Sequence, residues 1–357
     1  MKSKRFCLCA ILAALLIAAT VSCGNPQGDT PAATTEDEKI AVAGTEDESE
    51  SVTEPETVAG AETDSKTETT EETETETEPE TEAKSPYSEG LAYEKNQDGT
   101  YAVSGIGSCT DTELVIPPEY DGVAVTGIAG QAFQSNHDIV SVVIPDSVQF
   151  IGFAAFQDCR GLTSVTLPNG LAEIGSSLFS RCGALTDVTI PDSVTAIGSS
   201  AFNACTSLTQ IISPQGVTII DRSAFEDCYA LTSVSLPDSV TEIGNMAFLN
   251  CVGLTNVTIP DSATKLGIGV FRGCTALTGV ILPKGVTTVT QQMFMDCAAL
   301  EKIFIPDSVT SIRRGAFDGC TALTDIYYEG TEEAWSNLAA TFEALTPTVH
   351  YNSTPEI

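Results

Sequence analysis

From Leu114 onward, apolar and polar positions return with a period of 23 residues. Phe recurs at 133, 156, 179, 202, 225, 248, 271, 294 and 317. Leu occupies 162, 185, 208, 231, 254, 277, 300 and 323, and Pro stands at 145, 168, 191, 214, 237, 260, 283 and 306. Columns in phase at a fixed period mark a repeat architecture, in which no unit buries its apolar face alone. Residues 185–207 show how one unit reads. Leu185, Val188 and Ile190 follow L-x-x-L-x-L, and the step of two from Val188 to Ile190 is strand spacing, with Thr189 facing outward. Pro191 has no amide to give a ladder and ends the strand, and Pro191-Asp192-Ser193 supplies turn chemistry. Val194 and Ile197 point inward again. Residues 199–205 are predicted as a short helical or 3-10 turn that carries Phe202 and Cys205 into the core.

The unit L-T-x-V-x-I-P-x-S-V-x-x-I-G-x-x-A-F-x-x-C resembles the BspA-like class of leucine-rich repeats, over residues 114–328. The resemblance implies a curved right-handed solenoid with a parallel sheet on one face. It also implies a bacterial surface protein that binds host or matrix components. The expected fold class is therefore a leucine-rich-repeat solenoid of α/β type, with short parallel strands and helical or 3-10 turns. Some positions depart from the pattern. Asn136 stands where the first coil should have Cys, and Pro117 precedes Pro145 by 28 residues rather than 23. Ser213 replaces the aliphatic seen at Leu167 and Ile190, which predicts a weaker coil there. Gly152, Gly175, Gly198, Gly244 and Gly267 follow the buried aliphatic and point to a positive φ; Asp221 tolerates one, Thr290 and Arg313 hardly do. Either those two coils differ in backbone, or the glycine serves packing.

Outside the repeats the pattern changes. Residues 87–113 hold a hairpin signal, Asp98-Gly99 between alternating apolar residues, which predicts a cap over the first coil. Residues 329–357 form the other cap: Thr331 is placed to N-cap a helix with Glu332 and Glu333 in its first turn, and Val349-His350-Tyr351 reads as a final strand. Residues 1–22 read as a lipoprotein-type signal peptide. Lys2, Lys4 and Arg5 precede an apolar stretch too short to span a bilayer, and Thr20-Val21-Ser22-Cys23-Gly24 resembles a lipobox with Cys23 as the lipidated residue. Thr20 departs from the Leu usual three residues before that Cys.

Charge separates the parts further. The formal net charge is −33, and residues 24–86 carry 20 Asp/Glu against three Lys. That stretch has no aromatics and few aliphatics, so nothing in it offsets chain entropy. Residues 23–86 are expected to be a disordered, Thr/Glu-rich stalk that charge repulsion keeps extended. Residues 87–357 hold 29 Asp/Glu against 10 Lys/Arg, an excess that disfavours nucleic acid as a partner.

Candidate chemistry is sparse. Eight cysteines, from Cys159 to Cys320, follow the 23-residue period, and stacking would bring them about 5 Å apart. Disulfides or a thiolate metal column are conceivable there, but small buried thiols at a tight turn account for the column. The two histidines, His137 and His350, lie near opposite ends of the array and cannot meet. No zincin, nucleophile-elbow or Walker motif occurs, so no enzyme, cofactor or metal is expected. The outward strand positions run Val143, Thr166, Thr189, Ile212, Ser235, Thr258, Ile281, Phe304 and Tyr327, turning large and apolar at the end. Ile281, Phe304 and Tyr327, with Lys302 beside them, are the candidate ligand-binding residues. The competing reading is that Trp335 and the terminal helix cover them.

The function expected is a lipid-anchored extracellular binding or adhesion protein for protein or glycan ligands, touching membrane only through its lipid. Two other readings remain: a structural envelope component, and a polysaccharide-capture accessory. The last is short of aromatic platforms, with one Trp and eight Tyr.

Overall fold

The computed structural model describes residues 85–338 and 346–354. The signal segment 1–22, Cys23 and all but the last two residues of the acidic stretch 23–86 lie outside the described residues. From residue 85 the chain is a parallel-strand solenoid of about 11 turns. Each coil but that of residues 185–207 contributes a strand of three or four residues before the Pro corner and, in most coils, there is a two-residue strand after it. Equivalent strands pair in parallel at a spacing of 23, as in Ser141↔Ser164, Ser233↔Asn256 and Lys302↔Asp325. The first pairing, Glu113↔Ser141, has a spacing of 28. The excess forms a small antiparallel hairpin, Glu119↔Ala124 and Tyr120↔Val123. Its turn is Asp121-Gly122, with φ of 51° and 71°, a pairing suited to a two-residue hairpin loop.

The turn segments share the vertical bonding with the strands. In coil 185–207 the amides of Ser200, Phe202 and Ala204 donate to Arg222, Ala224 and Glu226 of the next coil, at 2.9, 2.8 and 2.7 Å. The amides between them, on Ala201, Asn203 and Cys205, close i→i−3 turns at 3.1–3.2 Å. This is the spacing of 3-10 structure, but it is not a continuous helix. Two residues in each coil take the left-handed region, four positions apart, as at Ser200 (φ 56°) and Ala204 (φ 57°). Those reversals aim alternate amides along the solenoid axis, so that the segment's polar backbone is satisfied by the neighbouring coil.

The glycine column has a different cause from the one expected. Gly152, Gly175, Gly198, Gly244 and Gly267 are absent from the positive-φ positions. A Cβ at Gly152 would run into the backbone of Gly130, at Gly244 into that of Arg222, and at Gly267 into that of Asn245. Close approach of successive coils, rather than positive φ, thus accounts for Gly at these coils, while the coils of Asp221, Thr290 and Arg313 accommodate a side chain at the same position.

One apolar core runs the length of the solenoid, from Leu91 to Leu338. The phenylalanines stack along it in a single file. Eight successive ring pairs from Phe133 to Phe317 lie 5.1–5.8 Å apart with interplanar angles of 5–21°. Such pairs contribute about 0.5–1.5 kcal/mol each beyond their burial. Among the described residues the cysteines are free thiols, and the eight periodic ones are buried. Each donates to the carbonyl of the preceding coil's Phe, at 3.0–3.2 Å. The same carbonyl already accepts the amide three residues on, for example Cys159 N to Phe156 O at 3.3 Å. Asn136 begins the column with no earlier coil beneath it. Its side-chain oxygen turns instead to the amides of Asp138 and Ile139, at 3.0 and 3.3 Å.

Both ends carry the secondary structure indicated by their sequence. Ala92–Lys95 and Tyr101–Gly105 form an antiparallel hairpin, which pairs in parallel with Val123–Ile128. The helix Glu332–Asn337 is N-capped by Thr331, whose hydroxyl accepts from Ala334 N. Thr348–His350 adds a last parallel strand to Asp325–Tyr328.

Ser213 is the weak point. It is 7% exposed and its hydroxyl has no hydrogen-bond partner. The coil below it contributes only an isolated bridge at Thr189 between strands Ser164–Thr166 and Gln210–Ile212. Ser213→Leu should raise stability by at least about 1 kcal/mol, because it removes an orphaned hydroxyl and buries apolar surface. The urea midpoint of the variant measures this.

The thiols add a pH dependence. Burial pushes Cys205, Cys274 and Cys320 up from the ordinary 9.0 to about 12. Cys228, Cys251 and Cys297 also rise, chiefly through burial, and Cys182 rises through its hydrogen bond to Cys159 and then through burial. The folded chain therefore keeps protons that the unfolded chain releases above pH 9. Stability should be intact below pH 9 and fall as pH rises toward 12, by up to about 1.4 kcal/mol per thiol per unit. Denaturant melts at pH 8, 9, 10 and 11 check this.

Candidate functional site

Strands Gly279–Ile281, Lys302–Ile305 and Asp325–Tyr328 lie side by side, with Ile281↔Phe304↔Tyr327 in register. The parallel pairing brings three of the expected residues into one file on the outward face. Thr348–His350 extends it, placing His350 opposite Tyr327. Phe304 and Tyr327 stack at 5.3 Å and 6°, and Tyr327 and His350 at 4.6 Å and 13°. The rings are half-buried because each covers its neighbour, while Ile281 is 45% exposed. Lys302 stands in the adjoining file, exposed, between Gly279 and Asp325. Its aliphatic stem lies over Gly279, 3.5–3.6 Å from where a Cβ would be.

His350 Nε2 lies 2.6 Å from Asp325 Oδ1. That hydrogen bond, followed by one from the Thr324 hydroxyl at 2.8 Å, holds the Asp325 carboxyl below the ordinary carboxylate range. The other histidine, His137, faces Asp158 at 3.4 Å in a separate surface pair. Trp335 packs at 5.3 Å and 54° on Tyr328, whose side chain faces the core and is buried. The terminal helix thus closes the end of the core, on the opposite side of the strand from Tyr327. Among the described residues no group of three or more His, Cys, Asp or Glu is arranged to hold a metal.

Two features escaped the sequence reading. His350 follows Tyr327 by 23 residues, so the repeat period, carried across the cap, would have found it. At the other end Tyr93 and Tyr120 stack at 3.9 Å and 15°, with Tyr101 edge-on to both. Burial, and then the nearby Tyr120, push the Tyr93 phenol up to about 12. Tyr120 sits on the small inserted hairpin, which no periodic signal marks.

A family model for the BspA type leucine-rich repeat region matches residues 126–255 and 241–338, in six copies. The chain belongs to this family. A leucine-rich repeat protein of T. pallidum, solved by crystallography, is 32% identical over 53% of this chain and 88% of its own, with a TM-score of 0.50. A leucine-rich cell surface protein of Faecalibacterium prausnitzii A2-165 is 26% identical over 71% of this chain and 98% of its own, with a TM-score of 0.38. Comparison with curated proteins finds no match. The aromatic file at the C-terminal end is a feature of this BspA-type chain's own outward residues, since its strands carry Thr or Ser at the same position in the coils of Ser164–Thr166, Ser233–Ser235 and Asn256–Thr258.

Phe304→Ala should cost about 1–2 kcal/mol, the loss of its stack on Tyr327 and partial burial, and Tyr327→Ala about 2–3 kcal/mol, because it loses the stacks on both Phe304 and His350. Chemical denaturation measures this, and a loss above about 4 kcal/mol would mark these rings as core rather than surface.

Proposed function

We propose that this BspA-type solenoid is a cell-surface binding or adhesion protein and not an enzyme. It docks a protein partner on its outward strand face through Ile281, Phe304, Tyr327 and His350, with Lys302 and Asp325 as a charged rim. The observation that carries the reading is the aromatic file itself. Aromatic anchors surrounded by polar groups are the usual energetic centre of a protein interface. The rings stack face to face along the axis, so their edges turn outward. A sugar ring needs an open aromatic face, and the file offers few of them; this favours a protein over a glycan ligand. Cys23 would carry the lipid that tethers the chain, and the acidic residues 23–86 would space the solenoid from the membrane.

The test is a screen of the full chain against arrays of host matrix proteins and of glycans. A protein partner is expected, with binding weakened at least tenfold by the Phe304→Ala/Tyr327→Ala pair and Cys23 lipid-modified in protein isolated from its cells. Absence of any partner, together with concentration-dependent self-assembly in light scattering, would support a structural envelope role instead. A glycan hit lost in the same double variant would support polysaccharide capture.

A further inference from the structure

At the opposite end of the solenoid from the aromatic file, one tyrosine is displayed in a way the repeat does not require. Tyr120 ends the short strand Glu119–Tyr120, which pairs antiparallel with Val123–Ile128 across the Asp121-Gly122 turn. This hairpin is the insertion in the first coil, so no stacked neighbour dictates its residues. Val125 N donates to Pro118 O at 2.8 Å and fixes its base. A Cβ at Gly122 would meet nothing within 4 Å, so its tip is open.

Three rings meet at this hairpin, and their positions leave one face free. Tyr93 stacks on one face of Tyr120 at 3.9 Å and 15°. Tyr101 is perpendicular to Tyr120 at 5.2 Å and lies 6.4 Å from Tyr93. Separations of 3.9, 5.2 and 6.4 Å form a nearly right-angled triangle with its corner at Tyr120. Tyr101 therefore stands beside the edge of Tyr120 and not over its second face. Among the described residues no ring covers that face, and Tyr120 is 38% exposed. Tyr93 and Tyr101 are themselves packed against the core, so the ring they hold is fixed before any ligand arrives.

That geometry selects among ligand classes. A cage for an organic cation turns several ring faces toward one point. Here the Tyr93 stack takes up one face of Tyr120, and the Lys95 ammonium already stands 6.0 Å over the Tyr101 ring. A protein interface buries on the order of 1,000 Å² or more. Beside Tyr120 the chain has Glu119, Asp121 and Gly122, all exposed, so the apolar surface is little more than one ring. A single flat ring fits the C–H face of a pyranose, whose polarised hydrogens meet the negative face of the aromatic system. The Glu119 and Asp121 carboxylates have no partner among the described residues and would repel an anionic sugar.

We propose that Tyr120 is a stacking platform for one pyranose ring of a neutral polysaccharide, with Tyr93 and Tyr101 as the residues that position it. The site is separate from the docking face at Phe304 and Tyr327 and adds a second class of ligand to the chain.

The test is retardation of the full chain in native gels containing yeast mannan, hydroxyethylcellulose or mixed-linkage β-glucan, with polygalacturonate as the anionic control. At least one neutral polymer should retard the chain, and polygalacturonate should not. Tyr120→Ala and Tyr120→Leu should weaken that binding at least about tenfold, whereas Tyr120→Phe, which keeps the aromatic face, should stay within about twofold. Tyr120→Leu and Tyr120→Phe both retain an apolar side chain against Tyr93, so their contrast reads the ring face and not the fold. No retardation by any neutral polymer would overturn the proposal, as would equal binding by the Leu and Phe variants. Stronger retardation by polygalacturonate, or release by 10 mM tetramethylammonium at constant ionic strength, would overturn it too. Phe304→Ala/Tyr327→Ala should leave retardation unchanged, so failure here and failure of the aromatic file as an interface are separately visible.

Discussion

No coil of this solenoid satisfies its own backbone or buries its own apolar face, so each must meet its neighbour in register. The Phe carbonyl shows the requirement most compactly. At Phe156 it accepts the Cys159 amide from its own coil and the Cys182 thiol from the next, at 3.3 and 3.0 Å. A slip of one residue would turn the phenylalanine file outward, withdraw the thiol and misdirect the alternate amides of the turn. Three independent sets of contacts thus impose the same spacing of 23, which is the consistency across levels that lets a sequence specify one structure.

That rigidity frees the outward strand positions from any structural duty. Their side chains need only tolerate solvent and a neighbour about 4.8 Å away. Over the middle coils they are Thr and Ser apart from Ile212, and these suit that minimum. Where they become Phe304, Tyr327 and His350, they cover one another in a stack, and the surface changes from polar to aromatic without any change of backbone. The inward position behaves in the opposite way. Ser213 is a small change in sequence, yet it leaves an orphaned hydroxyl inside the core and coincides with the thinnest stretch of the ladder.

Much of the fold was legible in the sequence because periodicity reports packing directly. The strands, the Pro corners, the buried Phe and Cys columns and the N-cap at Thr331 follow from residue type and spacing alone. The cause of the glycine column was not legible. Positive φ and close approach both call for Gly, and only the backbone positions of Gly130 and Arg222 decide between them. The expected 3-10 turns carried left-handed residues that the sequence hides, because Ser, Ala, Met and Arg occupy them. Of the site, the file of Ile281, Phe304 and Tyr327 could be read from the register. His350 escaped because the cap interrupts the motif while keeping its period, and the stacked Tyr93–Tyr120 pair depends on an insertion with no periodic signature.

The claim beneath all of this is that the coils are interchangeable only in whole units of 23. Thermal unfolding of two deletion variants, followed by far-ultraviolet circular dichroism, tests it most directly. One variant removes residues 231–253, and the other removes 231–252. The first should unfold cooperatively, only a few degrees below the parent, because Ala230 then joins Leu254 in phase. The second should lose its cooperative transition, since every position beyond the junction is displaced by one. Equal melting of the two variants would contradict the register as the source of the fold.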